Sequence, residues 1–455
     1  MIAEGSATQQ IVMDKSFWAA TAVFGISYSL IVSERIHKTI IAIFGAALVI
    51  AMGILSQQEA FHSEELGVDW NVIFLLISMM LIVNIMRPTG IFEYIAIKSA
   101  KIGKGEPFKI LAIFAIVTAF ISAFLDNVTT VLLITPVTLL IADALDVDPI
   151  PYLISCALAS NIGGTATLIG DPPNIMIASK AKLDFMEFIY HLTPAIILIM
   201  AVYLLAIKLI WGKKLKTKDE LKARIMKMNE KEAIKDYSML GKSLFVLSIT
   251  IIGFIAHGML GLEPATIAML GAGLLLLLSR KPNLHSIFSE VEWATIFFFI
   301  GLFIIIGGIV KVGLIDLASL KVLDITKGNL FAMSMIIMWF SAFASAIVDN
   351  IPYVATMNPL IIDMAHKLWP NQAGIQLLHN PQLMPIWWSL ALGACLGGNG
   401  TAIGASANVV IVGMSEKMGN KITFAKFLIY GMPIMILTMI ISTIYVWLRY
   451  YVFYF

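Results

Sequence analysis

The stretch SAFLDNVTTVLLITP, residues 122–136, sets a carboxylate (Asp126), an amide (Asn127) and three threonines inside what otherwise reads as an oily helix. The same arrangement returns as SAIVDNIPYVATMNP, residues 345–359, with Asp349-Asn350 in place of Asp126-Asn127. An ionisable group inside an apolar span is costly and marks an ion or substrate path by default.

The surroundings are those of a membrane protein. Of 455 residues, 59% are hydrophobic and 13% charged, and mean hydropathy is +0.89. A soluble chain carries about 25% charged residues. Apolar runs recur near the ~20 residues that cross a bilayer, without the alternation of a β-barrel. The expected class is therefore an all-α polytopic membrane protein. The net charge of +2 says nothing about partners, and no nucleic-acid partner is expected. Cys156 and Cys395 form neither a metal-like pair nor a disulfide framework. The first residues lack a basic region and a cleavage site, so no cleaved signal peptide is expected.

The opening match extends along both halves. At the same offset of 223 positions, Val68-Asp69-Trp70 meets Val291-Glu292-Trp293, and Lys104-Gly105 meets Lys327-Gly328. GGTATLIGDPPN (163–174) meets GGNGTAIGASAN (397–408), and FMEFIYHLTP (185–194) meets FAKFLIYGMP (424–433). Ordered matches of this kind indicate an internal repeat. The first copy is placed at residues 1–212, a linker at 213–240 and the second copy at 241–455. Each copy offers five spans: near 17–35, 38–55, 70–87, 149–179 and 188–212, then near 241–260, 264–280, 291–310, 385–414 and 427–448. Each also offers a re-entrant hairpin, near 108–145 and 330–362. Stretches 149–179 and 385–414 are broken helices. Five crossings per copy invert the second relative to the first.

Loop charge orients the chain. The linker holds nine Lys/Arg and five Asp/Glu, which places it in the cytoplasm. Both termini then lie outside. SERIHK (33–38), the basic stretch 87–104 and SRK (279–281) fall inside, and the acidic 56–69 falls outside. DALDVD (143–148) fits less well inside. The linker itself reads as a solvated amphipathic helix.

Inverted repeats with broken polar helices point to a secondary transporter with a midplane site. In SNIGGTATLIGDPPN (160–174), Gly163, Gly164 and Gly170 free the backbone and Pro172-Pro173 remove two donors. Unwound backbone at membrane depth lines a cavity. Its carbonyls, with Asn161, Thr165, Thr167 and Asn174, suit a hard cation such as Na⁺. Asn399, Thr401, Ser406 and Asn408 supply the counterpart. Asp126, Asn127, Thr129, Asp349 and Asn350 complete the candidate site, with Na⁺ expected at the two Asp-Asn tips. The bland alternative is that Asp126 and Asp349 only cap the returning helices. Asp171 stands just before a helix restart and is open to the same reading, yet Ala405 matches it in the other copy.

These motifs resemble the ion transporter superfamily, in particular its ArsB/NhaD-type permease branch, close to the pink-eyed-dilution P-protein group. The resemblance implies an elevator-type carrier, usually a homodimer, with a scaffold and a moving transport domain. Related dicarboxylate carriers are similar at the tips but hold Ser-Asn-Thr where this chain has Asp126-Asn127-Val128 and Asp349-Asn350-Ile351. They hold GTPPN where this chain has Gly170-Asp171-Pro172-Pro173-Asn174. Three extra carboxylates would repel a dianion unless neutralised. The expectation is an ion-coupled secondary transporter of the inner or plasma membrane without a cofactor, coupled to Na⁺ and/or H⁺. Na⁺(Li⁺)/H⁺ antiport comes first, arsenite or antimonite efflux second, and cation-coupled transport of a small anion or amino acid third. An intramembrane aspartyl protease built on Asp126 and Asp349 lacks a GxGD-like motif, so no enzyme is expected. A channel would differ in showing non-saturable flux.

Overall fold

The computed structural model describes residues 13–33, 35–279 and 283–453. Glu34 of SERIHK and Arg280-Lys281 of SRK lie outside the described residues, as do the first twelve positions.

The chain is an all-α polytopic membrane protein. Its first half comprises α1 (Lys15–Ser33), α2 (Lys38–Ala51), α3 (Gln57–His62), α4 (Trp70–Met86), α5 (Ile91–Ile102), α6 (Pro107–Ser122), α7 (Asn127–Ala144), α8 (Ile150–Gly164), α9 (Pro172–Ala181), α10 (Phe185–His191) and α11 (Thr193–Trp211). The linker carries α12 (Asp219–Lys227). The second half follows with α13 (Tyr237–Leu260), α14 (Pro264–Leu278), α15 (Leu284–Ser289), α16 (Trp293–Lys311), α17 (Leu314–Thr326), α18 (Leu330–Ile347), α19 (Asn350–Leu368), α20 (Gly374–Leu378), α21 (Met384–Gly397), α22 (Ser406–Lys417) and α23 (Phe424–Val446). Among the described residues, eight helices are long and apolar enough to cross a membrane, and α2, α6, α8 and α14 are shorter apolar helices.

The element order repeats, and so do the contacts. α2 packs on α16 while α4 packs on α14; α7 packs on α22 while α9 packs on α19. α6 lies on α8 as α18 lies on α21. These contacts between halves recur with the halves exchanged, the reciprocity expected of a two-fold arrangement. Proline treats the copies differently. Pro194 stands at the start of α11 after a break at Leu192, whereas the matched Pro433 lies inside the continuous α23. α20 falls in the insert of the second half. The amphipathic α5 and α17 lie outside the expected spans, because their mixed polar faces hide them from a search for continuous apolar runs.

Close backbone approach explains the glycines at the breaks. A Cβ on Gly163 would stand 2.0 Å from the Ala119 carbonyl oxygen, and one on Gly397 would stand 2.5 Å from the Ala342 backbone. The broken helices therefore seat directly on the outgoing hairpin arms.

The linker carries the solvated amphipathic helix its composition suggests, α12, with only Ile225 buried, and it is docked at several points. Lys101 meets Glu230 at 2.6 Å and Lys222 meets Glu106 at 3.0 Å. Lys235 N donates to Thr89 O at 2.9 Å, and Gly90 (φ 84°) presses so close to Ala233 that a Cβ would lie 1.8 Å from its oxygen. Thr217 donates to Leu145 O at 2.5 Å, which brings 143–148 to the linker end of the molecule. At the other end of α4, Ser179 donates to Asp69 at 2.6 Å and Lys180 to Glu64 O at 2.7 Å. The acidic 56–69 and the basic 87–104 thus occupy opposite ends of α4.

Candidate functional site

Each hairpin tip is a helix start. Asp126 accepts from Thr129 N at 2.9 Å at the head of α7, and its second oxygen takes the Thr129 hydroxyl. Asp349 accepts from Ile351 N at 3.3 Å at the head of α19. Both tip carboxylates therefore cap. They are not equivalent, however. Asp349 also pairs with the Lys38 ammonium and accepts the Ser406 hydroxyl at 2.9 Å, while Lys38 donates to Ser406 at 3.0 Å.

Asp171 occupies the N-cap position of α9 and makes no cap hydrogen bond. Its carboxylate instead receives Asn127 at 3.2 Å and Asn350 at 3.4 Å. The capping reading of Asp171 is overturned: Pro172 and Pro173 offer no N–H, so the carboxylate turns inward to the two tip amides. Asn127 also donates to Asn161 at 3.1 Å, and Asn161 donates to Asn399 at 2.9 Å and Asn408 at 3.1 Å. A buried polar network of this kind rigidifies a core only when its members are satisfied.

The other break residues hold backbone. Asn174 donates to the carbonyls of Thr165 at 3.2 Å and Thr167 at 2.9 Å; Asn408 does the same to Gly398 at 2.8 Å and Thr401 at 2.9 Å. Thr165 donates to Asn161 O at 2.7 Å, Thr401 to Ala346 O at 2.5 Å, and Thr167 to Ala123 O. Asn174 and Asn408 thus satisfy carbonyls within the breaks, while Thr167 and Thr401 tie the breaks to the ends of the hairpin arms α6 and α18. They stand behind the site rather than along it.

Asp126, Asn127, Asp171, Asn350 and Ser406 line one cavity of about 20 Å³. Its far wall is Leu76 and Met80 of α4 with Glu292 and Thr295 of α16. Three of these residues are carboxylates, and no lysine or arginine lines the space. Helix starts at Asp126, Asp171, Glu292 and Ser406 turn their positive ends toward it. The start at Asp126 is capped by its own carboxylate, while those at Asp171, Glu292 and Ser406 carry no side-chain cap. The cavity is bordered by the middle of α4 (Leu76, Met80) and by the first turn of α16 (Glu292, Thr295).

Lys38, Glu292 and Thr295 escaped the sequence reading. Lys38 was counted as loop charge, and only the fold brings it to Asp349. Glu292 carried a signal, since it matches Asp69 in the repeat. Asp69 caps Val72 N at 3.3 Å, whereas Glu292 makes no cap bond and instead accepts the Thr295 hydroxyl at 3.1 Å.

Known proteins agree with this architecture. A 46 kDa membrane protein of Mycobacterium leprae is 43% identical over 433 residues, covering 95% of this chain and 99% of that one. An uncharacterized transporter of Mycobacterium tuberculosis is 42% identical over 433 residues, covering 95% and 98%. The P protein of Homo sapiens is 31% identical over 503 residues, covering 94% of this chain and 59% of that protein. The Alcanivorax borkumensis YdaH transporter, whose crystal structure has an unusual topology, superposes with a TM-score of 0.57 at 10% identity over 95% of this chain and 97% of that one, a likeness of fold alone. The family profile described as Citrate transporter, CitMHS, matches residues 28–393. With its repeated hairpins, broken helices and buried polar site, this chain is a membrane transporter and belongs to the CitMHS citrate transporter family.

Proposed function

We propose that the protein is an ion-coupled secondary transporter that exchanges a small monovalent cation, Na⁺ or Li⁺, for protons. One observation carries this reading: the cavity of about 20 Å³ is walled by Asp126, Asp171 and Glu292 without a side-chain cation among its lining residues. A space of this size accepts about one water-sized species. Three carboxylates brought together need protons or a cation to coexist, and competition between the two at one site is the essence of exchange. Asn127 and Asn350 hold Asp171 from opposite tips, so loading it bears on both hairpins. Arsenite would need free hydroxyls, but those of Thr129, Thr165, Thr167 and Thr401 all donate within the chain.

In this reading α4 and α16 belong to a stationary frame, and the hairpins and broken helices to the part that moves. The chain sits in the inner or plasma membrane as a homodimer, with linker 213–240 in the cytoplasm. The test is a proteoliposome with a pH dye inside. Pulses of Na⁺ or Li⁺ collapse an imposed pH gradient, and choline does not. Absence of a cation-dependent signal at acid, neutral and alkaline pH rejects the exchange.

A second reading is a small carboxylate solute carried with cations. The family description and the paired amide donors Asn127 and Asn350 favour it. Labelled citrate uptake that requires Na⁺ or a divalent cation would establish it.

A further inference from the structure

Lys38 lies at the first turn of α2, on the frame, and its ammonium reaches across to the second hairpin. There it meets the Asp349 carboxylate, donates to Ser406 Oγ at 3.0 Å and sits 4.9 Å from the centre of the Phe298 ring. Carboxylate, hydroxyl and aromatic face together make a compact cation site, and it is filled by the chain itself.

The other copy keeps the carboxylate but lacks the lysine and the hydroxyl. α2 and α14 align at an offset of 226 positions, with Ala42, Gly45 and Ala46 against Ala268, Gly271 and Ala272. Lys38 then matches Pro264, and Ser406 matches Pro172. Asp126, the counterpart of Asp349, bonds only its own Thr129 and faces the open cavity. Two repeated tips thus present one carboxylate to the cavity and one to a lysine.

We propose that Lys38 is a tethered resident cation that occupies a second, latent cation site at Asp349–Ser406. The repeat supplies two sites, and Lys38 reduces the exchangeable load to the one at Asp126 and Asp171. A charge fixed to the frame replaces a charge that would otherwise be carried. The proposal extends the cation reading of the cavity but stands on its own contacts.

The test uses the purified full chain in detergent and follows thermal unfolding in Na⁺, with choline keeping ionic strength constant. A ligand that binds only the folded state raises Tm in a saturable way. Lys38→Met is expected to acquire a saturable Na⁺-dependent rise in Tm beyond that of the wild type. Lys38→Arg should match the wild type, and Lys38→Met with Asp349→Asn should lose the added rise. A Lys38→Met protein with only the wild-type Na⁺ response overturns the proposal. If Lys38→Met folds only in Na⁺, the site is supported. If it folds in neither salt while the double variant folds, or if both fail, Lys38 serves packing or charge balance alone and the proposal falls. The wild-type response separately tests the cavity: silence there alongside a response in Lys38→Met rejects the exchange reading and leaves the latent site standing.

Discussion

Asn350 donates its amide to both carboxylate oxygens of Asp171, at 3.4 Å each, although 179 positions separate the two residues. Asn127 reaches the same carboxylate from the first half at 3.2 Å. Asp171→Asn keeps the shape and removes the charge. Hydrogen bonds to charged groups are worth about 1.5–3 kcal/mol, so cation affinity is expected to fall roughly tenfold to a hundredfold. Folding and insertion should be near normal. Flux titrations in proteoliposomes, with Tm as the folding control, check this; unchanged affinity and pH profile would return Asp171 to a structural role.

Glu292 and Asp69 offer a matched comparison. Asp69 caps α4 and takes the Ser179 hydroxyl, while Glu292 faces the cavity. Glu292→Gln is expected to weaken cation binding about tenfold, the scale of one charged contact. Asp69→Ala should instead cost about 1 kcal/mol of stability with cation dependence intact. Equal effects of the two on flux would remove Glu292 from the site.

Asn161 joins the halves, accepting from Asn127 at 3.1 Å and donating to Asn399 at 2.9 Å and Asn408 at 3.1 Å. Asn161→Leu strands these buried amides, at about 1–3 kcal/mol for each unsatisfied group. A drop in Tm of several degrees is expected, and Asn161→Gln should not restore it because the longer chain misplaces the amide. A Tm equal to the wild type would show that the network rearranges without it.

Gly163→Ala puts a methyl 2.0 Å from the Ala119 carbonyl oxygen. Overpacking of this kind costs about 1–3 kcal/mol or more, and poor yield with a lowered Tm is expected. Gly413→Ala, where nothing lies within 4 Å, is the control. As a helix-interior change it should be neutral or stabilise by about 0.5–1 kcal/mol. The two Tm values read side by side decide the matter.

Lys101 beside Glu230 holds that carboxyl down at about 2, against an ordinary 4.5. With a depressed folded value, its contribution to linker docking is complete above 4.5 and fades as pH falls toward 2. The pair is solvent-accessible, so its contribution is small and weakens with salt. Lys101→Ala is expected to raise tryptic cleavage of the linker a few-fold at neutral pH. Glu230→Gln should do the same, and no change in either would place the docking energy in the backbone contact to Thr89.

Most of the architecture was legible because polarity in an apolar span has nowhere to hide. Asp126 and Asp349 announced both hairpins, and the doubled glycines with Pro172-Pro173 announced the breaks. What stayed hidden depended on long-range pairing. Lys38 looks like any loop lysine until the fold brings its ammonium to Asp349 at the head of α19. Glu292 looks like a cap, and only the free N–H groups of α16 reveal that it is not one. Composition gave Thr165, Thr167 and Asn174 the chemistry of ligands, but a break in a helix first needs donors for its own carbonyls. The linker's docking was hidden too: most of its charges face water, but Glu230 pairs with α5 and Lys222 with Glu106 before α6.

The exchange of partners between the two halves also governs how the chain is made. Synthesis delivers α7 and α9 long before α19 and α22, against which they pack. Asp171 lacks one of its two amides until residue 350 emerges, and Asn161 lacks its acceptors until residues 399 and 408 do. The newborn first half must wait in the bilayer with its most polar groups incompletely matched, a natural target for membrane quality control. Two separately expressed halves should therefore survive only when produced together.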